Sequence, residues 1–321
     1  MAHSCKTKAV FGPIPSRRLG RSLGIDLLPF KTCSIDCVYC ECGATTNLTL
    51  ERREYYPTEK VPQEIDAILS TGVKADYATF SGVGEPTLHT GLGRIIEHLR
   101  TNWKGVKTCL LTNSTFLGDP QLQKELEHLD LIVPSIDGSC EEEFQKINRP
   151  CPGLTLRQIV DACLSFRKAC PHVTMWLEIF IIPGVNDSPE SLARFCDIVK
   201  QLAPHKVQLN SLDRPGAVSW IQVPSRDRME EIAARVRATG VETEIITRRG
   251  KTRVEPAGDA ETYNNRILAA LQESSGSADE IASRLQIDAA HITTHLRRME
   301  KAGLVTGRET PCGIIYNKTE G

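Results

Sequence analysis

The sequence predicts an α/β fold in which a parallel β-sheet is covered by helices. Between residue 23 and about residue 245, apolar strand-like segments alternate with amphipathic helical segments six times. The strand segments are almost continuously apolar, which is typical of parallel strands buried on both faces. Periodicity alone does not distinguish an open doubly wound sheet from a partial barrel. In both architectures the functional loops follow the carboxyl ends of the strands.

This alternation places each strand and helix along the chain. The predicted strands are 23–28, 75–82, 106–113, 129–137, 173–182 and 206–212, with an edge strand at 241–247. The predicted helices are 58–69, 91–101, 120–128, 154–169, 188–202 and 225–238. Thr58 is the expected N-cap of the first helix, and Cys163 falls on the apolar face of the fourth.

The composition changes after this region and predicts a second domain. We expect an α/β domain with a basic N-terminal arm at 1–249, a linker at 250–261 and a small domain at 262–321. The small domain reads helix–helix–turn–helix–hairpin, the order of a winged helix-turn-helix. Its third helix has a buried stripe and a polar, partly basic face; the stripe is Ile292, Leu296 and Met299, and the face is His291, Thr294, His295, Arg298 and Lys301.

Charge and hydropathy narrow the function classes. The formal net charge is −1, so no global field attracts nucleic acid or anionic lipid. Over 262–321, seven Lys and Arg balance seven Asp and Glu, a weak footprint for phosphate binding. No signal peptide and no membrane-spanning segment is expected, which favours a cytoplasmic location. In that reducing compartment, twelve cysteines indicate metal binding or catalysis for some of them.

A cysteine motif follows the first predicted strand. The segment KTCSIDCVYCECG contains Cys33, Cys37 and Cys40 in C-x3-C-x2-C spacing. Three thiolates on one short loop can bind three irons of a cubane cluster and leave the fourth iron open to a ligand. Zinc with Cys42 as a fourth ligand is the alternative, although zinc motifs usually pair two C-x2-C halves. The role of Cys42 therefore stays open.

The cysteine motif, with Tyr39 before its third cysteine and G-V-G-E (82–85) after the second strand, resembles the radical S-adenosylmethionine (SAM) superfamily. The resemblance implies a (βα)6 partial TIM barrel and a [4Fe–4S] cluster on the three cysteines. It implies reductive cleavage of SAM to methionine and a 5′-deoxyadenosyl radical that abstracts hydrogen from a substrate. A reductant such as flavodoxin or ferredoxin is the implied electron donor.

The resemblance also implies three groups of SAM-binding residues. The methionine amino group would lie after strand two, its carboxylate or the ribose after strands three and four, and the adenine beside the cysteine loop and strands five and six. In that order they are Gly82, Gly84 and Glu85; Asn113, Ser135 and Asp137; and Tyr39, residues 181–187 and Leu209 to Leu212. A turn or cap role is the alternative for each, most clearly for Asp137 in an Asp-Gly turn.

Within the superfamily, the sequence is similar to iron–sulfur oxidoreductases of the wybutosine-type tRNA-modifying group. The segments that carry this similarity are 12–26, 80–89, 147–150 and 207–216. The wybutosine reaction itself is not indicated, because only Cys5 precedes the motif where a second cluster would need several cysteines.

Candidates to clamp an anionic substrate are Arg17, Arg18, Arg149 and Arg214. Four further cysteines could in principle bind an auxiliary cluster, but their spacing matches no compact ligand pattern: Cys140, Cys151, Cys163 and Cys170.

The winged helix leaves three functional hypotheses. It could bind an RNA substrate, it could bind a protein or peptide substrate, or it could be the output of a SAM- or redox-responsive DNA-binding regulator. A SAM-binding segment in register with the cysteine loop favours an enzyme over the regulator. The substrate, the net reaction and the oligomeric state are not encoded in any motif that we recognise.

Overall fold

A computed structural model describes residues 8–16, 18–212, 216–246, 260–285, 292–293, 295–296, 299–300, 302–310 and 313–319. The chain divides into two compact units, one within Lys6–Arg249 and one within Gly250–Gly321, and we describe each by itself. Among the described residues, no helix is long and apolar enough to cross a membrane.

The larger unit is built on one eight-stranded sheet. Its order across the sheet is β1 (Val10–Ser16), β2 (Gly20–Ile25), β5 (Tyr77–Phe80), β6 (Lys107–Thr112), β7 (Leu131–Pro134), β8 (Thr174–Phe180), β9 (Lys206–Asn210) and β10 (Thr243–Ile245). Two short strands, β3 (Thr32–Cys33) and β4 (Asn47–Leu48), pair separately. The strands from β2 to β10 pair in parallel, and β1 is antiparallel to β2. All predicted strands are therefore present.

Helices connect the parallel strands. They are α1 (Lys60–Leu69), α2 (Leu92–Asn102), α3 (Pro120–Leu126), α4 (Glu141–Asn148), α5 (Leu156–Ala169), α6 (Pro189–Leu202) and α7 (Arg226–Arg237), with a 3-10 helix at Pro86–Leu88. The predicted N-cap of α1 is wrong: Glu59 holds that position, and the Thr58 hydroxyl donates to Glu54 instead. Helix α4 was not predicted, because its eight residues are mostly polar and too short for a clear period.

The sheet curves into an incomplete barrel. Arg18, in the turn between β1 and β2, donates to Gln208 Oε1 on β9 at 3.1 Å and pairs with Glu178 on β8. In a flat sheet, β8 and β9 would lie roughly 20 Å from β2, since neighbouring strands are ~4.8 Å apart. A single arginine side chain does not span that distance. Strong curvature therefore brings the two ends of the sheet together, as the partial-barrel prediction requires.

The N-terminal segment, predicted as a basic arm, forms the antiparallel strand β1. Phe11 on this strand covers Gly24 of β2 so closely that a Cβ there would lie 2.2 Å from its ring. In the turn after β1, Leu19 is buried among apolar side chains of the concave face, including Leu131 and Val133. The segment thus closes the end of the barrel at which the parallel strands begin.

The smaller unit has its own apolar core. Its elements are α8 (Ala260–Glu273), β11 (Gly276–Ser277), α9 (Ala278–Leu285), β12 (Val305–Thr310) and β13 (Gly313–Lys318), and the three strands form one sheet. Ile292, Leu296 and Met299 are buried as predicted. His295, predicted on the polar face, is instead 7% exposed and lies 3.2 Å from Asn264 Oδ1. The rest of that face lies outside the described residues: His291, Thr294, Arg298 and Lys301.

Candidate functional site

The three cysteines of the motif lie in one irregular loop that begins at β3. The main chain turns twice within it, because Cys40 N–H donates to Cys37 O and Gly43 N–H donates to Cys40 O, each at 3.1 Å. Cys37 is buried, and Cys33 and Cys40 are half-buried. The Cys40 sulfur acts electrostatically on Cys33, the sulfurs of Cys33 and Cys40 both act on Cys37, and none of the three is in a disulfide. The loop therefore gathers all three thiols.

The chemistry of this sulfur set fits an iron–sulfur cluster. Burial raises the pKa of Cys33 to about 12 and the pKa of Cys37 well above its ordinary range, so both thiols keep their protons until a metal replaces them. Among the described residues, no three His, Cys, Asp or Glu side chains are placed to hold a single metal ion. A cubane needs no such convergence, because each thiolate binds a different iron.

A buried lysine and a fourth cysteine lie against Cys40. Lys31 is 2% exposed, and its Nζ donates to Cys40 Sγ at 3.0 Å. The Cys42 thiol also donates to Cys40; this bond, assisted by Lys31 and opposed by burial, lowers the pKa of Cys40. Cys42 therefore lies beside the motif as a hydrogen-bond donor to one of its sulfurs.

The G-V-G-E segment packs directly on the strand that leads into the cysteine loop. Lys31 N–H donates to Val83 O at 3.1 Å, and Glu85 N–H donates to Thr32 O at 3.2 Å. These two main-chain bonds join the loop after β5 to the residues just before Cys33. The two sequence motifs therefore form one structural unit.

Two glycines permit this close approach. A Cβ on Gly84 would lie 2.0 Å from Thr32 O, and a Cβ on Gly82 would lie 2.2 Å from Asp26 Cγ. Gly82 also has a φ of +128°, which other residues rarely adopt. Both positions therefore need glycine on steric grounds, whatever ligand the loop binds.

The Glu85 carboxylate is buried and engaged by the protein itself. Its Oε1 accepts from Thr87 N–H at 3.1 Å, Thr87 Oγ1 at 2.6 Å and Thr112 Oγ1 at 2.7 Å, and its Oε2 accepts from Asn113 N–H at 2.8 Å. Burial raises the pKa of Glu85 more than these hydrogen bonds lower it. The side chain predicted to receive an ammonium group thus holds the loops after β5 and β6 in place.

Asn113 and Ser135 follow β6 and β7. Asn113 Nδ2 donates to Ser34 Oγ at 2.8 Å and lies 3.5 Å from Cys33 Sγ, so it borders the cysteine loop. Ser135 Oγ donates to Glu178 Oε1 of β8 at 3.4 Å. The structure therefore places Asn113 at the cysteines and Ser135 on the concave face of the sheet.

The predicted adenine contacts and Asp137 come together around Tyr39. The Tyr39 ring stacks on Phe180 with a centroid separation of 3.9 Å, and Leu212 belongs to the same apolar cluster. Tyr39 OH donates to Asp137 Oδ2 at 2.6 Å, and Phe180 N–H donates to Asp137 Oδ1 at 3.0 Å. Burial raises the pKa of Asp137 to about 6. The Asp137 carboxyl group, which is 2% exposed, therefore fixes the orientation of the Tyr39 ring through the Tyr39 hydroxyl.

The sequence reading missed two side chains that contact the cysteines. Asn148 Nδ2 donates to Asp137 Oδ2 at 2.8 Å and to Cys37 Sγ at 3.4 Å, while its buried Oδ1 has no partner among the described residues. Lys31 is the other. Two features of the sequence pointed to these residues. Asn148 lies in the I-N-R-P segment, from which only Arg149 was named as a candidate, and Lys31 lies two residues before the first cysteine of the motif.

The structure describes two of the four arginines that were predicted to clamp an anion. Arg18 pairs with Glu178 on the concave face, and Arg149 lies 3.6 Å from a carboxylate of the cysteine loop. Arg17 and Arg214 lie outside the described residues. Each described arginine therefore already has an acidic partner.

Comparison with family models gives two matches. The radical SAM superfamily model matches residues 27–196, more than half of the chain, and includes the three cysteines, the G-V-G-E segment, Asn113, Ser135 and Asp137. The model described as bacterial regulatory protein, arsR family, matches residues 265–306, within the smaller unit. The second match agrees with a winged helix-turn-helix.

Three curated relatives are similar in sequence. A protein named GTPase Obg from Brachyspira hyodysenteriae is 34% identical over 70% of this chain, which spans only 33% of that protein. A UPF0026 protein of Methanocaldococcus jannaschii is 34% identical over 78% of this chain and 75% of its own length. A dual-specificity RNA methyltransferase, RlmN, from Alkalilimnicola ehrlichii is 25% identical over 55% of this chain and 49% of its own length.

Among solved structures, a radical SAM methyltransferase from Sphaerobacter thermophilus has the same fold. The TM-score is 0.57 at 18% identity, and the alignment covers 71% of this chain and 67% of that one. The likeness supports the partial-barrel architecture already read from the curved sheet. Together with the family match and the cysteine loop, it shows that this chain belongs to the radical SAM superfamily, whose enzymes use a [4Fe–4S] cluster and SAM, and within it to the UPF0026 proteins.

Proposed function

We propose that Cys33, Cys37 and Cys40 bind three irons of a [4Fe–4S] cluster and that SAM occupies the fourth. When bound, the reduced cluster supplies the electron that cleaves SAM to methionine and a 5′-deoxyadenosyl radical, which takes hydrogen from the substrate. The observation that carries this proposal is the pair of main-chain hydrogen bonds between the cysteine strand and the G-V-G-E segment. These bonds fix the cysteine strand against the loop that we propose binds the methionine group of SAM.

The chain's own residues bind and orient the SAM molecule in this proposal. Main-chain carbonyl groups at Gly82 and Gly84 accept hydrogen bonds from the methionine ammonium group, while Glu85 keeps that loop rigid. Asn113 and Ser135 supply polar contacts to the carboxylate or the ribose. Asp137 acts through the Tyr39 hydroxyl rather than on the ligand.

Apolar side chains form the adenine side of the proposed site. Tyr39, Phe180 and Leu212 belong to one apolar cluster next to the cysteine loop. Such a wall excludes water and leaves few competing hydrogen donors near a radical. The electron donor in this proposal is a flavodoxin or ferredoxin, and the protein works in the reducing cytoplasm, where the three thiols stay out of disulfides.

We assign the substrate to RNA, bound through the winged-helix unit. The supporting observations are the match of residues 265–306 to the model described as bacterial regulatory protein, arsR family, and the sequence similarity to RlmN, which its name describes as an RNA methyltransferase. The balanced charge of residues 262–321 predicts few phosphate contacts and therefore moderate affinity with a shallow salt dependence. No comparison favours the regulator hypothesis.

The cluster assignment is tested by counting iron in serine variants. After anaerobic reconstitution, wild-type protein should hold about four irons, and Cys33→Ser, Cys37→Ser and Cys40→Ser should each lose most of them. Cys42→Ser should keep a full cluster, as should the buried core variant Cys163→Ser. Loss of iron in Cys42→Ser, with full retention in one of the first three, would make Cys42 a ligand and contradict the proposed set.

The substrate assignment is tested with the full chain by anaerobic photocrosslinking in a cell extract. Enrichment of RNA over protein, reduced in a variant that ends at residue 249, supports RNA. Enrichment of peptides or proteins with no RNA would show that the winged helix recognises a polypeptide and would contradict this part of the proposal.

A further inference from the structure

Lys31 is a buried cation whose nearest charged neighbours are sulfur atoms. Its side chain is 2% exposed and its Nζ lies 3.0 Å from Cys40 Sγ. The groups that act favourably on its charge are the thiols of Cys40, Cys33 and Cys42. Among the described residues, no Asp or Glu forms an ion pair with it. A buried ammonium group without an anion is strongly unfavourable, so the thiolates that form when a metal replaces the thiol protons would supply its counter-charge.

The main chain at Lys31 also indicates that this side chain is needed. Its φ is 53°, in the left-handed region that favours glycine and disfavours lysine. Three main-chain bonds hold the residue there: its N–H donates to Val83 O, and its carbonyl accepts from the N–H groups of Thr46 and Asn47. A glycine would satisfy the same bonds without strain. A lysine therefore stands at a position where the backbone conformation favours glycine.

Apart from the cysteines themselves, the other described charged groups that act on these sulfurs are carboxylates. The carboxylates of Glu85 and Asp137 act on Cys33 and Cys37, and Asp26 acts on Cys42. Adding one electron to a cluster held by three thiolates makes it more negative by one charge, which these carboxylates oppose. Lys31 is the cation placed against the sulfurs to offset them. Reduction potentials of iron–sulfur clusters respond to such nearby charge and to hydrogen bonds on the sulfurs.

We propose that Lys31 sets the reduction potential of the cluster: its fixed positive charge stabilises the reduced state that donates an electron to SAM. Lys31 contacts the sulfur of Cys40 and is argued to act through it, so it is a positioning residue. The inference rests on the proposed cluster at Cys33, Cys37 and Cys40. The electron comes from a one-electron reductant, and the charge it adds is compensated by Lys31 without any proton transfer.

The test is an EPR-monitored redox titration of anaerobically reconstituted full-length protein. Lys31→Met removes the charge and keeps the length of the side chain. We expect its equilibrium constant for one-electron reduction to fall at least tenfold, a shift of about 59 mV to more negative midpoint potential. Lys31→Arg keeps the charge and should lie close to wild type. Lys206→Met is the matched control, because Lys206 is also largely buried but pairs with Glu242 and Glu244.

Each outcome decides the proposal. An unchanged potential in Lys31→Met, with iron content equal to wild type, overturns it while leaving the cluster assignment intact. If Lys31→Met holds no cluster, Lys31→Gln is titrated instead, since it keeps a donor to Cys40 without the charge. If both neutral variants lose the cluster and Lys31→Arg retains it, the requirement for positive charge is supported.

If Lys31→Arg also loses the cluster, positive charge is not what the site requires and the inference fails. Wild-type protein without a [4Fe–4S] signal would contradict the proposed function itself.

Discussion

At the residue scale, the polar side chains of the site serve mainly to hold one another. Glu85 and Asp137 are each buried and accept three or more hydrogen bonds from neighbouring groups. Such carboxylates are effective organisers, because hydrogen bonds to charged groups are stronger than neutral ones. The loops that meet the cysteines are therefore set before any ligand arrives.

Gly84→Ala should disturb the site through sterics alone. Its Cβ would lie 2.0 Å from Thr32 O, so one of the two loops must move. We expect a loss of roughly 1–3 kcal/mol of unfolding free energy and poor iron retention after reconstitution. Gly105→Ala is the control, because no atom lies within 4 Å of its Cβ position. Equal iron content in the two variants would show that the loops tolerate separation.

His89 should make the protein less stable in mild acid. It is fully buried, its Nε2 lies 2.8 Å from Tyr56 O and its Nδ1 accepts from Gly91 N–H. Burial lowers the pKa of His89 below the ~6.5 of an unfolded chain, so the unfolded state binds more protons below that pH. Stability therefore falls as the pH drops through about 6.5.

Urea unfolding at about pH 7 and about pH 5.5 measures this contribution. The difference between the two pH values should be smaller in His89→Gln than in wild type, because the variant has no imidazole to protonate. His128→Gln, at a half-exposed position, should keep the wild-type difference. An unchanged pH dependence in His89→Gln would mean that His89 is not the titrating group.

At the element scale, Arg52 ties the G-V-G-E loop to helix α3. Its Nε donates to Thr87 O at 2.9 Å, and its guanidinium pairs with Asp119 at 3.1 Å and Glu125 at 3.0 Å. The side chain is 15% exposed, so little solvent screens these contacts. The loop that carries Glu85 is thereby anchored at both ends.

Arg52→Met should cost about 1–3 kcal/mol of unfolding free energy, since Asp119 and Glu125 both lose their cationic partner and Thr87 O loses a hydrogen bond. It should also weaken SAM binding, measured by calorimetry on the reconstituted protein. Arg100→Met removes an exposed pair with Glu97 and should change neither quantity measurably. Equal stability of the two variants would contradict an anchoring role for Arg52.

The sequence predicts those features of the site whose residues lie close together along the chain. Cys33, Cys37 and Cys40 lie within eight residues, so their spacing was readable. Glu85 bonds to Thr112, and Asn148 bonds to Cys37. Only the folded sheet brings these segments together, so the sequence did not reveal either hydrogen bond. Strand β1 was missed because its exposed apolar residues do not alternate with buried ones and because Pro13 and Pro15, within it, argue against a strand. Short polar α4 was missed because it has no clear helical period.

At the scale of the whole molecule, the two units have separate apolar cores, and the proposed function assigns catalysis to one unit and substrate recognition to the other. One core lies in the partial barrel and the other in the winged-helix unit. The boundary at 250–261 remains a prediction. Limited proteolysis should cut there first and release a fragment of about 249 residues that retains the cluster. First cleavage inside the barrel would contradict this division.

The central claim is that the cysteine loop and the G-V-G-E segment cleave SAM. The direct measurement is the yield of 5′-deoxyadenosine and methionine after anaerobic incubation of the reconstituted protein with SAM and dithionite. We expect both products in equal amounts from wild type and from Cys163→Ser, and neither from a variant with Cys33, Cys37 and Cys40 replaced by alanine. Wild-type protein with a complete, reducible cluster that forms no 5′-deoxyadenosine would contradict the account.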